Sequence, residues 1–185
     1  MVKSVLKEAE DRMKKAVEVV RQEFVKIRTG KASTALLDGL KVEYYGSMMP
    51  LNQVAAVATP DVHTITVQPW DKSMLAPIEK AILGGNLGLN PTNDGAVVRV
   101  PIPPLNEERR RELVKLVKKF AEDGRIAVRN VRRDANEHLK KAEKEEHFSE
   151  DERKRGEGEA QKMTDRFIKD IDNLVAQKEK EIMDV

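Results

Sequence analysis

Apolar residues recur at steps of three and four in two long parts of this chain, and they follow a different rhythm between those parts. From residue 4 to about 28, Leu6, Ala9, Met13, Ala16, Val17, Val20, Phe24 and Ile27 line up as one helical stripe, with Leu6, Met13, Val20 and Ile27 seven apart. Gly30 follows the last apolar position, where a left-handed cap costs least in a residue without a Cβ, so the helix is expected to stop there. A second stripe runs from 106 to 141 and on to Ala142, through Leu113, Leu116, Val117, Phe120, Ala127, Val128, Val131, Ala135 and Leu139. Asn106 with Glu107 and Glu108 supplies a helix N-cap and first-turn acids. After His147 and Phe148, Ser149 and Glu152 have capping-box spacing. They open a third helix through Ala160, Met163, Phe167, Ile168, Ile171, Leu174, Val175 and Ile182.

Between the stripes the periodicity shortens to that of strands, at 40–45, 54–59, 64–68 and 96–102. A short helix is predicted at 77–83, since Pro77 suits a first turn and Gly84-Gly85 ends it, and 86–95 reads as loop. Tyr44, Tyr45 and Trp70 could stack on bases but are expected to pack in the core of this unit, with room for one of the two tyrosines to face outward because strand neighbours point to opposite faces.

No single long helix can bury its stripe alone, so the three should pack as a bundle of coiled-coil-like helices. The fold class is α+β: a three-helix bundle of residues 1–30 and 105–185, with a small β/α/β sandwich of 31–104 inserted. Two chain segments cross between the units, and Arg28, Thr29, Gly30, Lys31, Pro103, Pro104 and Leu105 are the candidate hinge of an L-shaped molecule.

Charge sharpens this division. Of 34 basic and 32 acidic residues, only five and six fall in 31–104. The net charge is only +2, so attraction for a polyanion must come from distribution, not total. Placed at 100° per residue, Arg111, Lys115, Lys118, Arg125, Arg129, Arg132, Arg133 and Lys140 share one sector of the 106–141 helix, expected opposite the apolar stripe, and only Glu122 interrupts them. The row is about 40 Å long at ~1.5 Å per residue. A face chosen for solubility alone would intersperse the signs; a single-signed row suits a polyanion, and arginine's planar fork fits phosphate.

Cysteine is absent, which removes disulfides, thiolate nucleophiles and cysteine-bound zinc. With no signal-like or membrane-length apolar run, the cytoplasm is the expected location.

Five segments carry a family resemblance: Ile27-Arg28-Thr29-Gly30-Lys31-Ala32-Ser33, Val42-Glu43-Tyr44-Tyr45-Gly46, Leu87-Gly88-Leu89-Asn90-Pro91, Pro103-Pro104-Leu105-Asn106-Glu107-Glu108-Arg109-Arg110, and Ala127-Val128-Arg129-Asn130-Val131-Arg132-Arg133-Asp134-Ala135. Together, in order and across the whole length, they resemble bacterial ribosome recycling factor. The resemblance implies a non-enzymatic translation factor with these two domains. It implies binding to the post-termination ribosome against large-subunit ribosomal RNA. It also implies subunit splitting, with release of mRNA and tRNA, together with elongation factor G, which hydrolyses the GTP. This chain then needs no cofactor of its own and acts as a monomer away from membranes. Arg129, Arg132 and Arg133 stand in the motif whose arginines contact RNA in that family. One departure is Gly156 and Gly158, where the family more often has better helix formers; each is expected to cost up to about 1 kcal/mol relative to Ala.

Other motifs read more simply. Gly30-Lys31-Ala32-Ser33 lacks the upstream glycine of a phosphate loop and ends a helix instead of opening one. Gly84-Gly85-Asn86-Leu87-Gly88 is a helix stop followed by a turn. His63, His138 and His147 have no metal-like spacing, and His138 falls on the apolar stripe of its helix, where a core or boundary histidine is expected instead of a ligand. No catalytic constellation stands out. The rival reading is a coiled-coil adaptor or chaperone-like protein, which would not need a single-signed face.

Overall fold

The computed structural model describes residues 1–146 and 148–184. His147, one of the three histidines read from the sequence, lies outside the described residues. The chain divides into two compact units, Gly30–Asn106 and the helical remainder on either side of it.

The helical unit holds α1 (Val2–Val25), α3 (Glu107–Glu146) and α4 (Glu150–Met183), and every pair of the three packs together. Their stripes meet in one core, with Met13, Val117, Val128, Leu139 and Ile171 fully enclosed. Each such side chain contributes about 1.5–3 kcal/mol through burial. Arg12 pairs with Asp134 at 2.9 Å and Val20 lies beside Gly124, so α1 and α3 run antiparallel. Arg132 bonds Gln161 and Arg125 bonds Asp172, which makes α3 and α4 antiparallel too.

Local chemistry sets the helix ends. At the start of α4, the Ser149 hydroxyl accepts from the Glu152 N–H at 3.2 Å while the Glu152 carboxylate accepts from the Ser149 N–H at 3.1 Å. The predicted capping box is therefore formed. The end of α1 differs from expectation. It stops at Val25, and Gly30, although left-handed at φ 73°, lies beyond the helix. What Gly30 provides is closeness: a Cβ there would sit 2.9 Å from Leu105 Cγ and 3.0 Å from Leu105 N. No side chain fits that approach.

The residue 30–106 unit has a four-stranded antiparallel sheet ordered β3 (Ala55–Asp61), β4 (Thr64–Pro69), β6 (Val98–Pro101), β5 (Thr92–Asn93). A separate hairpin joins β1 (Lys41–Tyr44) to β2 (Ser47–Pro50). The helix α2 (Leu75–Gly84) packs on both β1 and β6. Inward residues alternate along the strands, and Ile65 faces Val100 while Val67 faces Val98. These close over Ile78 and Ile82 of α2. Two strands escaped the periodicity: β2 is only four residues of Ser, Met and Pro, and β5 is only two residues within the expected loop.

The aromatic residues depart from the expected core. Tyr44 is half-buried against the core, but Trp70 is 68% exposed and Tyr45 77%. Trp70 continues the outward-facing set of Thr64, Thr66 and Gln68 past the end of β4, so strand alternation turns it away from the core. Tyr45 sits in the tight turn at φ 45°, edge-on to Tyr44 at 4.5 Å, and its hydroxyl donates to Asp71 at 3.2 Å. Aliphatic side chains fill the space that the aromatics were expected to occupy.

Gly156 and Gly158 also part company. Gly156 is buried, and a Cβ there would meet Leu139 Cδ1 at 3.0 Å and Val2 Cγ1 at 3.2 Å. Gly158 faces open space. The first is used for close packing; only the second is a plain cost to the helix.

Candidate nucleic-acid interface

Helix α3 carries the basic row on one continuous α-helical segment of 40 residues, so the angular order read from the sequence is kept in space. Its relation to the core is different from the expectation. Ala121 and Gly124, neither counted in the apolar stripe, are buried, whereas Leu116, Phe120 and Ala127 are only half-buried. These two small positions let α1 and α4 close in and rotate the seam toward the cations. The row consequently flanks the α3–α4 seam instead of standing opposite it.

This rotation divides the eight residues by what holds them. Arg125 is largely enclosed, with its side chain 22% exposed. Its Nε and Nη2 donate to Asp172 at 3.0 and 2.6 Å, and its Nη1 donates to Glu122 at 3.3 Å. Partial burial opposes the charge, but the bonds to Asp172 and Glu122 outweigh it and hold the guanidinium pKa above its ordinary value. Arg129 shares Glu122 at 3.4 Å. Arg111 pairs with Glu107 at 2.5 Å, and Lys118 stands 4.0 Å from Glu179.

The remaining cations are less committed. Arg132 is half-buried and donates to a neutral group, the Gln161 amide oxygen, at 3.0 Å. Lys115, Arg133 and Lys140 are exposed and form no ion pair among the described residues. The single acid foreseen in the row, Glu122, does sit among the cations and accepts from two of them. The further acids, Asp172 and Glu179, come from α4 and carry no signal within the α3 sequence. What emerges is a surface of available positive charge along α3, strongest around Arg129 to Lys140, with its inner edge pinned to α4.

Among the described residues, no group of three or more His, Asp or Glu side chains gathers as a metal site. His63 and His138 are both exposed, so His138 is not the core or boundary histidine expected on the apolar stripe. No helix among the described residues is long and apolar enough to cross a membrane.

The candidate hinge residues lie where the units adjoin in sequence. Arg28 is exposed, and Thr29 and Lys31 are half-buried. Gly30 is enclosed by Leu105 and the Pro103 carbonyl, while the Pro103 and Pro104 rings stay exposed.

Comparison with known proteins places this geometry. The family model for ribosome recycling factor matches residues 20–183. A ribosome-recycling factor of Symbiobacterium thermophilum is 57% identical over 185 residues, covering all of both chains. One from Oleidesulfovibrio alaskensis is 54% identical over 182 residues, covering 98% of this chain and 99% of its own. Among solved structures, a solution structure of ribosome recycling factor superposes with a TM-score of 0.78 at 49% identity, covering 100% of this chain and 98% of that one. A second, at TM-score 0.64 and 50% identity over the full length of both chains, depicts T. thermophilus ribosome recycling factor and E. coli elongation factor G bound to the E. coli post-termination complex. A match across nearly the whole chain, with both units and their order preserved, leaves one assignment: this chain belongs to the ribosome recycling factor family.

Proposed function

We propose that the chain acts on the post-termination ribosome, with the basic face of α3 lying against folded large-subunit ribosomal RNA. With elongation factor G and the GTP that factor hydrolyses, it promotes dissociation of the subunits and release of mRNA and tRNA. Ribosome recycling factors are non-enzymatic translation factors, so the work here is binding and leverage, not chemistry on a substrate. The observation that carries the reading is the set of uncancelled cations on one helix: Lys115, Arg133 and Lys140 without ion pairs among the described residues, and Arg132 held only by a neutral amide. Arg111, Lys118 and Arg129 extend that face, and Arg125 ties it to α4.

Dense RNA phosphate releases counterions when such a face docks, which gives affinity with little reading of sequence and a steep dependence on salt. Arg28 to Lys31 and Pro103 to Leu105 are the hinge of this reading. With the bundle held on RNA, force applied by the GTPase to the inserted unit becomes torque across an intersubunit contact. The chain works as a monomer, in the cytoplasm, with no cofactor of its own.

Sedimentation with purified ribosomes over a salt series tests the contact. Binding that weakens steeply with salt is expected; salt-insensitive or absent association would favour the adaptor reading. A subunit-splitting assay with and without elongation factor G tests the rest, and splitting that ignores this chain would refute it.

A further inference from the structure

Arg132 is held differently from the other arginines of its row. Its Nη1 donates to Oε1 of Gln161 on α4 at 3.0 Å, and Nε2 of the same amide donates to Asp165 Oδ1 at 2.9 Å. The second bond fixes the first. A carboxylate can only accept, so the amide must present its NH2 group to Asp165 and its oxygen to Arg132. Gln161 and Asp165 are one turn apart on α4, which lets one side chain brace the other. The charge of Asp165 is thereby kept a whole amide away from the guanidinium.

Arg125, lower on the same seam, shows the alternative. There two carboxylates take the guanidinium directly and cancel its charge. An amide acceptor instead restricts the side chain without neutralising it, and occupies one of arginine's five donors. The remaining fork stays free to meet phosphate in a bidentate manner.

We infer that Gln161, braced by Asp165, is a positioning residue for Arg132: it orients the guanidinium toward the RNA phosphate while leaving its positive charge intact. This rests on the reading that Arg132 meets RNA. Gln161 itself lies on α4, outside the basic row, and nothing in the periodicity of either helix marks it.

The test is a mutant cycle on the full chain, measured as affinity for purified ribosomes over a salt series, with circular dichroism melts of each variant. Gln161→Ala should lose about three- to tenfold in affinity, the range for immobilising one long side chain. It should lose nothing further in an Arg132→Ala background, and should add normally to Lys140→Ala. Gln161→Glu, which puts a carboxylate on Arg132, should bind more weakly still and lower the salt slope by about one phosphate contact. Melting curves should stay near that of the parent. Equal losses from Gln161→Ala with and without Arg132, no loss at all, or a loss that follows a lowered melting temperature would each overturn the positioning role while leaving the RNA contact standing. An Arg132→Ala variant that binds like the parent would overturn the RNA contact, and the positioning role with it.

Discussion

Gly124 and Val20 meet at a tight contact between α3 and α1: a Cβ built on Gly124 would overlap Val20 Cγ2. Ile171 Cδ1 would stand 3.3 Å away on the α4 side. Glycine at mid-helix costs up to about 1 kcal/mol relative to Ala, yet Ala cannot be accommodated here unless the Val20 side chain or its helix shifts. Gly124→Ala is therefore expected to destabilise the bundle by about 1–3 kcal/mol, the usual result of overpacking. A thermal or urea melt measures it, and an unchanged or raised midpoint would contradict the close packing.

Gly158 should behave in the opposite sense. Its Cβ position is open, it sits inside a regular helix, and no positive φ requires glycine there. Gly158→Ala is expected to raise stability by up to about 1 kcal/mol through helix propensity alone. Gly156→Ala should gain less or lose, because Leu139 and Val2 must give way. Melts of the two variants side by side settle whether the pair differ in sign.

At the end of the bundle where α3 passes to α4, Arg153 reaches three acids with a side chain only 16% exposed. Glu143 lies at 2.5 Å, Glu157 at 2.9 Å and Glu150 at 3.7 Å. Removing the cation would leave Glu143 and Glu157, both largely covered, without the guanidinium they share. Arg153→Ala should lower the midpoint of a urea melt, because the polar groups it pairs lose their partner. Replacing all three, with Glu143→Gln and Glu157→Gln added, should recover part of that loss in a urea melt; no recovery would mean the packing of the arginine stem matters more than its charge.

The turn before β6 offers a pH signature. Asp94 Oδ1 accepts from the N–H groups of Ala96 at 3.0 Å and Val97 at 2.8 Å, and these bonds, with help from Arg99, hold its pKa below the ordinary 3.8. A carboxyl with a depressed folded-state pKa contributes stability in full above its unfolded pKa and loses it as pH falls through the folded value. The stability gap between the parent and Asp94→Asn should therefore be present at neutral pH and close on acidification below 3.8. Carboxyl NMR of Asp94 checks the cause: a midpoint at or above 3.8 would remove it.

How much of this was legible in the sequence depends on where the controlling residues sit. The three long helices announce themselves because their stripes are local and repeat over many turns, and the Ser149–Glu152 box is local too. β2 and β5 are too short for a period, and Trp70 faces outward through a parity that only the register of β4 fixes. The basic row could be read as an angular cluster on α3. Its charge balance could not, because Asp172 and Gln161, which decide whether Arg125 and Arg132 keep their charge, lie 47 and 29 residues away on another helix. The seam rotation arose from Ala121 and Gly124, two small residues that a hydrophobic count passes over.

That charge balance separates residues the sequence could only group. Arg125 and Asp172 form a pair with no net charge beside the basic face of α3, while Glu122 retains Arg129 as a second partner. The neutral exchange Arg125→Gln with Asp172→Asn should leave ribosome affinity and its salt slope near the parent values, because no available cation has been lost. Arg133→Gln removes one exposed charge that has no ion pair among the described residues, and should lower the slope by about one with no change in melting. Arg132→Glu should weaken binding further still, at unchanged helical content. Ribosome binding over a salt series, run on these three variants, ranks them; if the neutral exchange proved the most damaging, Arg125 would be the residue that meets phosphate and the available charge on α3 would have to be reassigned.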